Sequence, residues 1–346
     1  MHMTKQMRIG IVGATGAVGM EILSLLESRS FPASEIRLFA SLASTRKTLQ
    51  FKESPIAITT ITEKSFQGLD IIFFSAGSAA SKQYADKALE AGALVIDNSS
   101  AFRMNPDVPL IIPEINPETI KHHQGIIANP NCATIIMLMA LAPLHRACAI
   151  KRIVACTYQA ASGAGARAMQ DLIGETQSHF SGEVYQRSVI PFPYAFNLFL
   201  HNSPLLDSDY CEEEMKMVHE TRKILNDSTI KISATCVRVP VLRAHAEALN
   251  IEFHHPLSAE QAYEILDRAP GVSLLQNKAM NRFPMPLDAV GKNEILYGRI
   301  RKDLSQDNTL EMWVVGDQLL KGAALNAVQI AELAVKQEKQ GIQSSR

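Results

Sequence analysis

Gly13-Ala14-Thr15-Gly16-Ala17-Val18-Gly19 joins the apolar run Met7-Arg8-Ile9-Gly10-Ile11-Val12 to a stretch in which Val18, Ile22, Leu25 and Leu26 recur on one side of a helix. The first run reads as a buried strand, and residues 17–28 read as a helix. Glycines at such a junction permit a tight turn and let the backbone approach a pyrophosphate, which the helix N-terminus then binds. The spacing is GxxGxxG, a variant of the dinucleotide pattern; a packing turn without ligand is the alternative. Residues 36–40, 70–75 and 93–97 are further short apolar strands, and 82–91 reads as a helix. Strands alternating with helices mean a parallel sheet with right-handed crossovers. The N-terminal part is therefore expected to be a Rossmann-like dinucleotide-binding domain.

The end of the second strand bears on which dinucleotide. An NAD enzyme carries Asp or Glu there for the ribose 2′-hydroxyl. Here the chain reads Ser41-Leu42-Ala43-Ser44-Thr45-Arg46-Lys47, with hydroxyls and two cations but no carboxylate. That suits a 2′-phosphate, so NADP is expected, held by Ser41, Ser44 and Arg46. A solvated basic loop is the alternative.

The chain has 346 residues, 47% of them hydrophobic, enough for more than one domain. A net charge of −1 gives no basic field for nucleic acid or an anionic membrane. Five cysteines, an odd number without C-x-x-C spacing, fit a reduced protein better than a disulfide framework. The first residues show no apolar h-region, and no apolar run is long enough to span a bilayer. The expected compartment is the cytoplasm.

After residue 132 the pattern changes. A helix over 133–146 leads to a strand at 152–158, and alternating stretches follow at 233–241, His245–Phe253, 294–301 and 311–315. These read as a larger mixed, largely antiparallel sheet. Residues 322–328 open a final helix, and 180–210 read as loops. The expected class is α/β: a nucleotide domain of residues 1–131 and 325–346, and an α+β catalytic and dimerisation domain of residues 132–324.

Asn129-Pro130-Asn131-Cys132-Ala133-Thr134 places a thiol after a proline-stiffened turn and before the apolar run Ile135-Ile136-Met137-Leu138-Met139. A helix N-terminus favours thiolate over thiol. A nucleotide fold followed by a poised thiol suggests aldehyde oxidation through a thioester. The alternative for Cys132 is a small buried core residue, the reading given to Cys148, Cys156, Cys211 and Cys236. His122, His123, His254 and His255 lack metal-ligand spacing, and no metal is expected.

Several motifs in order resemble the aspartate-semialdehyde dehydrogenase family. They are residues 13–19, Asp97-Asn98-Ser99-Ser100-Ala101-Phe102-Arg103, residues 129–134, and Thr157-Tyr158-Gln159-Ala160-Ala161-Ser162-Gly163-Ala164-Gly165. Glu213-Glu214-Met215-Lys216, Val237-Arg238-Val239-Pro240-Val241 with His245, Phe283-Pro284-Met285-Pro286-Leu287-Asp288 and Lys321-Gly322-Ala323-Ala324-Leu325-Asn326-Ala327 complete the set. The resemblance implies reversible, NADP-linked reductive dephosphorylation of 4-phospho-L-aspartate to aspartate 4-semialdehyde by a homodimer. It implies Cys132 as acyl carrier, His245 as acid/base and Gln159 as the orienting group. Arg238, Glu213 and Asn131 would hold the amino acid, and Arg103 and Lys216 the phosphate. Gly13, Thr15, Gly16, Ala17, Val18, Gly77, Ser162, Gly163 and Asn326 would touch the cofactor.

The residue chemistry agrees. A neutral imidazole can take the thiol proton and return one. An arginine fork fits a carboxylate, and Glu213 and Lys216, three apart, share a helix face. Two departures stand out: Ala43 occupies a position where the family commonly has arginine, and Leu198-Phe199-Leu200-His201 replaces a hydrophobic-Pro pair. The other readings are an N-acetyl-glutamyl-phosphate reductase and a nucleotide-binding protein without activity.

Overall fold

The computed structural model describes residues 6–45, 47–62 and 64–344, with side chains up to residue 337. It divides into two compact units, Met1–Pro130 with Ala323–Arg346, and Asn131–Gly322.

In the first unit, β1 (Met7–Val12), β2 (Ala33–Phe39), β3 (Thr48–Phe51), β4 (Ser54–Thr59), β5 (Ile71–Phe74), β6 (Leu94–Asp97) and β7 (Ile126–Ala128) form one sheet in the order β3-β4-β2-β1-β5-β6-β7. All pairings are parallel except β3 with β4. Central strands β1 and β5 are apolar and buried because helices cover such a sheet. α1 (Ala17–Ser28) follows β1, and α2 (Ser78–Glu90) links β5 to β6. Strand order reverses between β2 and β5 around β1, the switch point at which open α/β sheets bind ligands.

In the second unit, α3 (Cys132–Ala147) leads into β8 (Ile150–Gln159), α4 (Ala166–Ser181), β9 (Phe199–Leu200), α5 (Glu212–Leu225), β10 (Lys231–Arg238), β11 (His245–Phe253), α6 (Ala259–Asp267), β12 (Val272–Leu274), α7 (Pro286–Ala289), β13 (Ile295–Lys302) and β14 (Thr309–Gly316). The sheet order is β12-β13-β14-β11-β8-β10-β9. β8 runs parallel to β10, and β12 to β13; the other pairs are antiparallel. β8 alternates strictly, with Ile153, Ala155, Thr157 and Gln159 buried and Val154, Cys156 and Tyr158 half-buried. α3 packs on this sheet and against α5 and α6. Its residues from Ala133 to Ala142 are all buried, as for a helix that is apolar all round.

α8 (Leu325–Ser344) returns to the first unit and packs on α1, where Arg29 pairs with Glu332 at 2.8 Å. It does not start at residue 322 as the sequence suggests. Leu320–Ala324 form a π-helical turn, with Gly322 N–H donating to Asp317 O at 3.3 Å. Other elements escaped the sequence reading, among them β7, α4, β9, α6, β12 and α7. The β3–β4 hairpin did too: it turns on Lys52 and Glu53, both at positive φ without glycine or asparagine. No helix of the described residues is long and apolar enough to cross a membrane.

Candidate active site

The glycine turn is built for a close approach. Gly13 sits at φ +85°, and a Cβ there would meet Ser75 carbonyl atoms at 2.8 Å. Gly16 is the N-cap of α1, with Ala17 and Val18 half-buried in its first turn. A Cβ at Gly19 would collide with Gly13 O. Gly77, at φ +87°, caps α2 with open space beside it. A cleft of about 330 Å³ lies here, walled by Phe39, Ala40, Ile61, Ala80 and Tyr84 and edged by Thr15 and Ser41. Apolar walls with a few hydroxyls at the rim suit a nucleotide base and its ribose. Thr15 Oγ1 and Ser44 Oγ lie 3.4 Å apart, so the β1 turn and the loop after β2 meet. Arg46 lies outside the described residues.

Arg103 and Asn326 belong to the same unit. Arg103 is buried, its Nε donating to Asn129 O at 2.9 Å and its Nη2 to Asn98 O at 2.9 Å. Asn326 is fully buried, and its Nδ2 donates to Ile111 O at 2.9 Å and to Asn129 Oδ1 at 2.6 Å. Its amide protons therefore brace the Asn129 turn rather than face outward.

In the second unit Cys132 is the first residue of α3, half-buried. Asn131 caps the helix: its Oδ1 accepts from Ala133 N–H at 3.0 Å and Thr134 N–H at 3.3 Å. Glu220 Oε2 accepts the Asn131 backbone N–H at 2.6 Å, fixing the residue before the thiol. Gly322 closes the other side, because a Cβ there would lie 3.1 Å from Cys132 Cβ.

The Asn131 side chain also reaches α5. Its Nδ2 donates to Glu213 Oε1 at 2.8 Å, Gln159 Nε2 reaches the same oxygen at 3.4 Å, and Lys216 Nζ donates to Oε2 at 3.0 Å. Burial opposes the Glu213 charge, but the Lys216 charge and the hydrogen bonds from Asn131 and Lys216 help outweigh it and hold its pKa down to about 2. Glu213 is thus a buried anion ringed by donors, not the solvated i,i+3 ion pair of a surface helix.

His245 and Arg238 lie across the β8 end. Ala160 N–H donates to His245 Nδ1 at 3.0 Å, so the neutral ring carries its proton on Nε2. Nε2 is buried and has no partner among the described residues. Burial first, then the Arg238 charge, push the His245 pKa down to about 3. The sequence expects a neutral imidazole that takes the thiol proton and later returns one; in this arrangement Nε2 carries the ring's proton and Nδ1 is the nitrogen that accepts. Arg238 is buried, with Nη1 donating to Ala160 O at 3.0 Å and Nη2 to His201 Nε2 at 2.7 Å. Its Nε has no partner among the described residues. Gly163 is wedged between the two, since a Cβ there would lie 3.0 Å from His245 Nε2 and 3.2 Å from Arg238 Nη1. Buried Ser162 accepts a hydrogen bond from Gln318 Nε2.

This unit therefore brings together a helix-start thiol, an Nε2–H donor, an unpartnered guanidinium N–H and a donor-ringed carboxylate. A profile described as "Semialdehyde dehydrogenase, NAD binding domain" matches residues 8–123, and "Semialdehyde dehydrogenase, dimerisation domain" matches 141–321. The aspartate-semialdehyde dehydrogenase of Synechocystis is 54% identical over 96% of this chain and 99% of its own. That of Prochlorococcus marinus is 52% identical over 95% and 96%. The chain belongs to the aspartate-semialdehyde dehydrogenase family. Aspartate semialdehyde dehydrogenase II of Vibrio cholerae, solved in complex with ASA, superposes with a TM-score of 0.93 at 43% identity, covering 96% of this chain and 99% of that one.

Against the family motifs, three groups went unnoticed in the sequence. Glu220 lies one helical turn beyond Lys216. Ala160 acts through its backbone alone. His201 occupies the 180–210 stretch that shows no period, and its one signal is the replaced hydrophobic-Pro pair. Among the described residues no cluster could hold a metal ion.

Proposed function

We propose that this chain catalyses the reversible, NADP-linked reductive dephosphorylation of 4-phospho-L-aspartate to aspartate 4-semialdehyde through a Cys132 thioester. The observation that carries the reading is the double use of Asn131. One side chain both caps the helix that begins at the thiol and holds the buried Glu213 carboxylate. Nucleophile and ammonium anchor are thereby fixed to one residue.

In the biosynthetic direction the Cys132 thiolate attacks the acyl carbon. A C–S bond forms, the C–O bond to phosphorus breaks, and phosphate leaves. The nicotinamide, when bound, supplies the hydride that reduces the thioester carbon. His245 Nε2–H donates to the oxygen that gains charge at that carbon. Protonating Nδ1 as well would set the imidazolium N–H against Ala160 N–H. His245 therefore acts as acid/base toward the thiol only after that bond opens. When the C–S bond breaks, the aldehyde leaves and the thiolate is restored. Arg238 binds the α-carboxylate through its unpartnered Nε, and Glu213 binds the ammonium. Lys216 and Arg103 supply the positive charge for phosphate, and Gln159 orients the acyl group.

The first unit would hold NADP, with Thr15, Ser41 and Ser44 offering hydroxyls to the 2′-phosphate. The half-buried sheet face of Val154, Cys156, Tyr158, Asn250 and Trp313 supports a homodimer. The compartment we infer is the cytoplasm, where the free cysteines stay reduced. The test is NADPH formation from semialdehyde, phosphate and NADP. Turnover that ignores phosphate, or that prefers N-acetylglutamate semialdehyde, overturns the reading.

A further inference from the structure

The two charge anchors of the proposed function, Arg238 and Glu213, are joined through a segment with no assigned role. β9 pairs with the end of β10, setting Phe199 opposite Arg238. His201 N–H then donates to Cys236 O at 2.8 Å, which turns the His201 ring toward the guanidinium. Arg238 Nη2 donates to His201 Nε2 at 2.7 Å. A guanidinium has donors only, so Nε2 is the bare nitrogen and the neutral ring carries its proton on Nδ1. Nδ1 lies 3.1 Å from Ser203 Oγ and 3.2 Å from Ser203 N–H; with Nε2 taken by Arg238, the Nδ1 proton goes to the hydroxyl, and Ser203 Oγ also accepts the Glu213 backbone N–H at 3.1 Å. The line of contacts is therefore Arg238, His201, Ser203, Glu213, with donors from both ends converging on Ser203 Oγ.

We propose that His201 and Ser203 are positioning residues that join the carboxylate anchor Arg238 and the ammonium anchor Glu213 into one hydrogen-bonded unit, so that both charges of the amino acid are recognised together. A long arginine side chain loses considerable rotamer freedom when it is fixed. Ala160 O and His201 hold one terminal nitrogen each, and the unpartnered Nε is then aimed by default. A second proton on His201 would oppose the guanidinium. Burial, with the Arg238 charge adding to it, keeps the ring neutral and its pKa near 4.

The inference rests on the proposed function, so the wild-type assay with aspartate semialdehyde, phosphate and NADP is run alongside. Absence of wild-type turnover overturns that reading, whatever the variants do. Given turnover, His201→Leu is expected to raise KM for the semialdehyde about tenfold, the loss of one hydrogen bond to a charged group. kcat and the KM values for phosphate and NADP should stay within about twofold, as for lost ground-state binding. His201→Gln, with an acceptor for Arg238 and a donor for Ser203, should recover most of the loss. Ser203→Ala, which leaves the Arg238 bond in place, should raise the same KM about threefold. An unchanged KM in His201→Leu or Ser203→Ala overturns the proposal. So does a glutamine variant no better than the leucine one.

Discussion

Asn131 Nδ2 lies 2.8 Å from Glu213 Oε1, while Oδ1 of the same side chain receives the first free N–H groups of the helix that starts at Cys132. Two demands meet on one amide, and they separate by substitution. Asn131→Ala should lose about 1–2 kcal/mol of stability, the usual value of an N-cap, together with most activity. Asn131→Asp restores the cap but faces Glu213 with a second carboxylate. Its thermal midpoint should recover while kcat/KM stays low. Recovery of both together would detach Glu213 from the site.

The two rings around Arg238 give a pH signature. His245 and His201 fall to about 3 and about 4 from the ordinary 6.5. A lowered folded pKa means that the unfolded chain binds more protons. Stability from these rings is full above their unfolded value and is lost as pH falls toward the folded ones. At about pH 5 each ring should account for about 2 kcal/mol of loss. Glu213, held near 2, adds its own loss only below the ordinary carboxylate range. Fully buried Glu247 is pushed well above that range and slopes the opposite way, so the comparison is between chains differing at one ring. Urea midpoints of wild type and His201→Gln should diverge between about pH 7 and about pH 5, with the variant losing less.

Gly163 leaves little room for a Cβ, since His245 or Arg238 would have to give by a few tenths of an ångström. A methyl would press on His245 Nε2 at 3.0 Å and Arg238 Nη1 at 3.2 Å. Gly163→Ala should lower kcat/KM by about tenfold, less than the roughly 100-fold loss that a misplacement near one ångström brings. Secondary structure by circular dichroism should be unchanged. Wild-type kinetics in this variant would remove Gly163 from the site.

The proposed preference for NADP would be set in the loop after β2. Thr15 and Ser44 meet there, and no carboxylate is present from Ser41 to Lys47. Ser44→Glu would set a negative charge against a 2′-phosphate and offer an acceptor to a 2′-hydroxyl. The ratio of kcat/KM for NADP over NAD should fall at least about tenfold. An unmoved ratio would place the 2′-phosphate elsewhere.

How far the sequence reaches is visible residue by residue. β1, α1 and β11 were legible with their ends, because apolar period and turn residues agree there. The Glu213–Lys216 pair was legible from its spacing, and the salt bridge forms at 3.0 Å. What spacing could not carry was burial, which makes Glu213 a desolvated anion with three donors. The β3–β4 hairpin stayed hidden because Lys52 and Glu53 adopt positive φ without the usual residues. His201 stayed hidden because strand pairing, not local pattern, brings it to Arg238. The His245 tautomer depends on a backbone N–H of Ala160, to which side-chain identity is blind. Gly163, matched as a cofactor residue by its motif, lies against His245 and Arg238 in the second unit.

The central claim is that Cys132 carries the acyl group. The most direct measurement is peptide mass spectrometry of the full chain after mixing with aspartate semialdehyde and NADP, phosphate omitted. The account predicts an aspartyl adduct on the peptide bearing Cys132 and one equivalent of NADPH in the first turnover. Phosphate should discharge the adduct, and Cys132→Ser should show neither adduct nor turnover. Steady turnover by Cys132→Ser, or turnover by the wild type with no adduct at Cys132, would contradict it.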